Sequence, residues 1–201
     1  MLDAAARRLL DPALNRLGRA LATRGITANA VTLGGLALGL IAAATIAFGA
    51  PGWALIPLLA SRLADGLDGA VARATRKTDF GGYLDIWADF LFYGAIPFAF
   101  ALADPDNATA AAFLLLSFYV NGTSFLGFAT MAEKRGLSTA AQGSKSLYYS
   151  NGLLEGTETI VFFVLLCLIP QHFAPLAWAF GALCFVTATA RVAAARHILT
   201  D

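Results

Sequence analysis

Charge is what this sequence has least of: 13% of its 201 residues are Asp, Glu, Lys or Arg, against about a quarter in a typical soluble domain. With 58% of residues hydrophobic, that shortage excludes an ordinary soluble globule and makes lipid the main solvent. There is no basic surface of the kind that binds nucleic acid. Cysteine is almost absent, and Cys167 and Cys184 both sit in apolar stretches, which excludes a disulfide framework and a thiolate metal site. His172 and His197 are isolated, so no histidine cluster can hold a metal. An uninterrupted apolar leader is missing too, because Arg and Leu alternate through the first twenty-odd residues; no cleavable signal peptide is expected.

What remains is apolar and helical. Six segments approach the roughly 20 apolar residues of a membrane span: 28–49, 52–72, 82–103, 108–131, 153–170 and 174–195. The second and third pair an apolar half with a charged half. Lys and Arg cluster before the first segment, after the second, after the fourth and at the end of the sixth, whereas connections 49–52, 103–107 and 170–173 have none. Six spans with both termini cytoplasmic put every basic cluster on one side. Leu2, Leu9, Leu10, Leu14, Leu17 and Leu21 recur at helical spacing among arginines, which predicts an amphipathic helix over 2–22 in the headgroup layer, or one packed on the bundle. The fold expected is an all-α membrane protein: a single domain, 1–201, with an interfacial helix and a six-helix bundle over 28–197.

The chemistry concentrates in two acidic stretches. Asp65 and Asp68 are three apart, and Ala72 continues their face of one helix; Asp85 and Asp89 are four apart on the next, with Gly81 one turn before. A short turn between the helices is expected to bring the two acidic faces together. Intramembrane carboxylates are costly unless compensated, and they normally mark function. Salt bridges from Arg73, Arg76 and Lys77 are one compensation. A hard divalent cation on all-oxygen ligands is the other, and two such ions balance four carboxylates. Gly69 and Ala72 keep the acidic face open, or simply let helices pack closely.

These residues resemble the signature of the CDP-alcohol phosphotransferase family, D-x2-D-G-x2-A-R followed by G-x3-D-x3-D. Asp65, Asp68, Gly69, Ala72, Arg73, Gly81, Asp85 and Asp89 fill every specified position. One departure is the gap: seven residues separate Arg73 from Gly81 where about eight are usual, and taking Gly82 instead would break the spacing to Asp85. The resemblance implies phospholipid biosynthesis: transfer of a phosphatidyl group from CDP-diacylglycerol to the hydroxyl of a small alcohol or alcohol phosphate, with release of CMP. It implies two divalent cations, Mg2+ or Mn2+, on Asp65, Asp68, Asp85 and Asp89. Asp89 is the candidate general base. Gly69, Ala72, Arg73 and Gly81 would border the CDP group. The run Ile26–Thr32 resembles the start of the family's first helix, where Asn29 is either a ligand to the CDP group or the helix cap. The resemblance also implies a homodimer in a bacterial inner membrane, and the basic clusters put its active site on the cytoplasmic side.

For the acceptor, Lys145, Glu155, Glu158 and Arg191 are the candidates, weighed against topology charge, ion pairing and snorkelling. Two rival functions fit the same acids: transfer of a phospho-amino-alcohol from a CDP-amino alcohol to diacylglycerol, and divalent-cation transport.

Overall fold

The computed structural model describes residues 2–136 and 156–200, with side chains from residue 8 onward. Among the described residues it holds seven α-helices and no strand. They are α1 (Leu2–Thr23), α2 (Ala28–Ala47), α3 (Pro51–Ala74), α4 (Asp79–Ala103), α5 (Ala108–Lys134), α6 (Gly156–Leu168) and α7 (Phe173–Leu199), with 3₁₀ turns leading into α5 and α7.

Helix boundaries follow local chemistry. Thr27 caps α2, its hydroxyl accepting from the Ala30 amide at 3.2 Å, and Thr78 caps α4 by accepting from Gly81 at 3.0 Å. Asn29, the alternative cap expected from sequence, instead lies inside the first turn of α2. Pro51 opens α3 at a position where its missing N–H costs nothing. Gly25 and Gly49 take positive φ of 78° and 81° in the turns that join α1 to α2 and α2 to α3.

Helices α2, α4, α5 and α7 are long and apolar enough to cross a membrane. At 24 residues α3 spans about 36 Å, but Arg62, Asp65, Asp68 and Arg73 interrupt its apolar character. The described part of α6 is apolar and 13 residues long; residues 153–155, where the fifth apolar segment begins, lie outside the described residues. The core lies between these helices. Phe92, Ile96, Leu114, Phe163 and Leu166 are fully buried, and Phe162 stacks on Phe180 with ring centroids 4.0 Å apart.

Two features of the packing position the site. First, α2 packs on both α3 and α4, whereas α3 and α4 meet each other only sparsely. Gly35 and Gly39 permit the close approach: a Cβ at Gly39 would stand 2.6 Å from the Phe92 ring, and one at Gly35 would stand 3.0 Å from Ala64. Second, α1 lies on α3 and α6 rather than standing apart. At Gly18 a Cβ would fall 2.8 Å from the Ala70 carbonyl carbon, so the two backbones nearly touch. Leu9 and Leu17, by contrast, are exposed. The helix expected at the lipid interface is therefore anchored on the bundle along one edge and open along another.

The three connections without Lys or Arg converge at one end of the molecule. A cavity of about 260 Å³ there is lined by Gly49 and Pro51, by Asp104 and Asn107, and by Pro170 and Gln171. Arg73, Arg76 and Lys77 lie at a larger cavity, formed where α3 ends and α2 and α4 begin.

Candidate active site

That larger cavity, about 620 Å³ and open, is built from three helix ends. The starts of α2 and α4 contribute Thr27, Ala28 and Asn29, and Thr78, Gly81 and Gly82; the last turns of α3 contribute Asp68, Gly69, Ala72 and Arg73. Asp85 completes the acidic wall, and Arg76 and Lys77 from the connecting turn form the basic one. Two helix N-termini and three basic side chains suit an anionic group, and the two carboxylates in the same lining suit a cation.

Six of the residues expected from sequence to border CDP or metal therefore share this cavity with Asn29: Asp68, Gly69, Ala72, Arg73, Gly81 and Asp85. Both Gly81 and Gly82 line the cavity, but they differ in the space around them. A Cβ at Gly81 would sit 3.0 Å from the Thr78 hydroxyl and 3.2 Å from the Asn29 side-chain oxygen, while one at Gly82 would meet nothing within 4 Å. Arg73 donates to the Asn15 side chain at 2.9 and 3.3 Å, which ties α1 to the rim.

The four aspartates are held by different partners. Asp68, 5% exposed, accepts from the Thr32 hydroxyl at 2.6 Å; Thr32 is itself 7% exposed. Asp65 and Asp89 meet elsewhere, through Arg62. Its Nη1 donates to Asp89 Oδ1 at 2.7 Å and lies 3.6 Å from Asp65. Along each helix Asp65 and Asp89 lie farther from the α3–α4 turn than Asp68 and Asp85. Asp65 of α3 and Asp89 of α4 thus approach the same Arg62 nitrogen, so the two acidic faces do come together at that level, although α2 packs on both helices. One expectation is corrected here. The basic residue that compensates the deeper acids is Arg62, not Arg73, Arg76 or Lys77.

Among the described residues, no three His, Cys, Asp or Glu side chains gather closely enough to hold one metal ion. The donor chemistry still fits a hard divalent cation, since four carboxylates with one arginine leave an excess of negative charge. Asp65, Asp68, Asp85 and Asp89 are the residues that would hold it.

Sequence reasoning missed Arg62 and Thr32. The first had a visible signal, a lone arginine three residues before Asp65 in an apolar run. The second had none, because its partner lies on another helix.

Of the acceptor candidates, Arg191 projects from α7 to α5, where its Nη1 donates to the Asn121 carbonyl at 3.1 Å, the Asn121 side chain at 3.0 Å and Ser124 at 2.8 Å. It is held between helices rather than extended toward an aqueous interface. Glu158 lies in the first turn of α6, half-buried. Lys145 and Glu155 fall outside the described residues.

An apolar helical bundle with this cavity at one end has parts suited to a membrane transferase of phospholipid biosynthesis. The chain belongs to the CDP-alcohol phosphatidyltransferase family, whose model matches residues 25–190. It is 48% identical to inner membrane protein YnjF of Escherichia coli (strain K12) over 196 residues, covering 96% of this chain and 94% of that protein. It is also 41% identical over 90 residues to the archaetidylinositol phosphate synthase of Pyrococcus horikoshii, which covers 44% of this chain and 48% of that synthase.

Proposed function

We propose that the protein transfers a phosphatidyl group from CDP-diacylglycerol to the hydroxyl of a small alcohol or alcohol phosphate and releases CMP. The observation that carries this reading is the cavity at the α3–α4 turn, whose lining combines acidic Asp68 and Asp85 with basic Arg73, Arg76 and Lys77 and two helix N-termini. A pyrophosphate is the substrate group that needs both walls: cationic donors for its oxygens and carboxylates for its counter-ions.

Each residue then has a role. Gly69, Ala72 and Gly81 leave room for the cytidine end, and Asn29 and Arg73 flank it. The acceptor oxygen attacks the lipid-linked phosphorus, the phosphoanhydride bond to CMP breaks, and the bond's electron pair leaves with CMP. Asp89 accepts the hydroxyl proton, oriented for that task by Arg62. Divalent Mg2+ or Mn2+ on the four aspartates supplies counter-charge to the pyrophosphate when bound. Arg191 and Glu158 are the candidates among the described residues for contact with the acceptor. The partial likeness to an archaetidylinositol phosphate synthase favours a polyol phosphate there.

The membrane arrangement we favour has six crossings, α2 to α7, with both termini and the larger cavity on the cytoplasmic side of a bacterial inner membrane. The likeness to an inner membrane protein and the absence of Lys and Arg from the opposite connections support it. A homodimer is part of the same reading.

The test is CMP release by purified protein from CDP-diacylglycerol with Mg2+ or Mn2+, across inositol phosphate, glycerol phosphate, inositol, serine, glycerol, ethanolamine and choline. Metal-dependent release with one acceptor, abolished in a folded Asp68→Asn variant, is the expected result. Turnover only with a CDP-amino alcohol and diacylglycerol would reverse the donor. Silence with both donors from folded protein, or normal turnover by Asp68→Asn, would overturn the reading.

A further inference from the structure

Arg62 is the one basic side chain sealed among the acids. Its side chain is 8% exposed, and its Cζ lies 3.8 Å from the centre of the fully buried Phe92 ring. Nη1 holds Asp89 and approaches Asp65, Nη2 donates to Ser61 at 3.1 Å, and Nε has no partner among the described residues. A guanidinium in such a place is costly unless the negative charge beside it repays its lost hydration. An arginine needed only for helix packing would not require two carboxylates from different helices.

We propose that Arg62 is a built-in counter-cation: a positioning residue that holds the carboxylates of Asp65 and Asp89 in the absence of metal and competes with metal for them. The proposal rests on the metal reading above and adds to it a distinction within the four acids, since Asp65 and Asp89 share Arg62 and Asp68 and Asp85 do not. Asp68 and Asp85 face the open cavity, where a divalent ion would arrive from solution. Asp65 and Asp89 are already neutralised in part from within. Metal affinity is then set by what Arg62 leaves unbalanced, and Asp89 keeps one orientation whether or not metal is bound.

The experiment uses the full chain in detergent and reads Mn2+ binding directly, by electron paramagnetic resonance of the free ion. The variants are Arg62→Gln, which keeps a donor but loses the charge, Arg62→Met, which loses both, and Arg62→Lys, which keeps the charge. Both neutral variants are expected to bind Mn2+ about tenfold more tightly, the repulsion between a unit and a double charge about 6 Å apart at the dielectric constant of water. Arg62→Lys should stay near wild type. At saturating Mn2+ the neutral variants should lose kcat for CMP release, with KM for the donor less affected, because Asp89 is no longer held.

A purely structural arginine would not tighten metal binding when removed. Unchanged or weaker Mn2+ affinity in folded neutral variants therefore overturns the proposal. If the neutral variants are unstable, Mn2+ should raise their unfolding temperature more than it raises that of wild type, and failure of the metal to do so also overturns it. Wild type that binds no Mn2+ at all would sink the metal reading beneath the proposal. Wild type that binds Mn2+, with variants that do not tighten, sinks only the role of Arg62.

Discussion

Replacing Thr32 by valine isolates one interaction of the acidic wall. Valine has nearly the shape of threonine, so α2 keeps its packing against α3 and no cavity opens. What is lost is the hydroxyl that donates to Asp68 at 2.6 Å in a site where both residues are almost fully buried. The same oxygen lies 3.1 Å from the Ala28 carbonyl, but its single hydrogen serves the shorter, charge-assisted contact. A hydrogen bond to a charged group contributes about 1.5–3 kcal/mol, and a partner left buried without it costs a similar amount. If that free energy holds Asp68 in its working position, kcat/KM for CMP release should fall by about ten- to a hundredfold. Thr32→Ser keeps the donor and should stay within a few-fold of wild type. The assay is steady-state CMP release, with circular dichroism and elution behaviour as controls for folding. Folded Thr32→Val with wild-type kcat/KM would show that Asp68 is positioned by other means and that the 2.6 Å contact is incidental to turnover.

Two further substitutions test the geometry around the cavity. Gly81→Ala places a methyl 3.0 Å from the cap hydroxyl of Thr78 and 3.2 Å from Asn29, so it should impair turnover, while Gly82→Ala, which meets nothing within 4 Å, should leave it unchanged; equal effects on CMP release would refute the assignment of Gly81. Gly18→Val forces a side chain against the Ala70 backbone, 2.8 Å from where its Cβ would fall, and should lift α1 from α3. Faster tryptic cleavage within residues 7–24 would report that, and an unchanged cleavage pattern would deny it.

How much of this was legible in the sequence depended on whether a relation runs along a helix or between helices. Asp65, Asp68, Ala72, Asp85 and Asp89 were placed by spacing alone, and the helices expected at 2–22, 28–49 and 108–131 appear with boundaries shifted by a few residues. The second segment was harder to read because the charges that make it useful also lower its hydropathy; α3 carries them in its second half. Relations between helices were out of reach. Spacing shows that two acidic faces exist, but not that α2 packs on both helices that carry them. Nor does it show that Asp65 and Asp89 meet through Arg62. Thr32 shares no periodic pattern with Asp68, and only the packing of α2 on α3 brings them together. Asn29 was read as a CDP ligand or a cap because Asn caps helices well, yet Thr27 takes the cap two residues earlier and leaves Asn29 to line the cavity.

The distribution of polar groups also separates chemistry from transport. A cation pathway needs ligands at intervals through the apolar layer, because an ion stripped of water must be met by another oxygen within a few ångströms. Here the acids of α3 and α4 stop at Asp65 and Asp89, and Arg62 lies beside them as a positive charge that would repel an advancing cation. Beyond it the described residues pack Phe92, Ile96, Leu58, Leu114, Phe163 and Leu166 into a core without solvent exposure. The small cavity at the far end is lined mainly by the turns that join the helices and does not include any of these four acids. A carboxylate set that is open to solution on one side and sealed by a cation and aromatic rings on the other can bind, orient and release a substrate at one membrane face. Among the described residues the fully buried core lies between these acids and the far end, which favours chemistry at one face over passage of an ion.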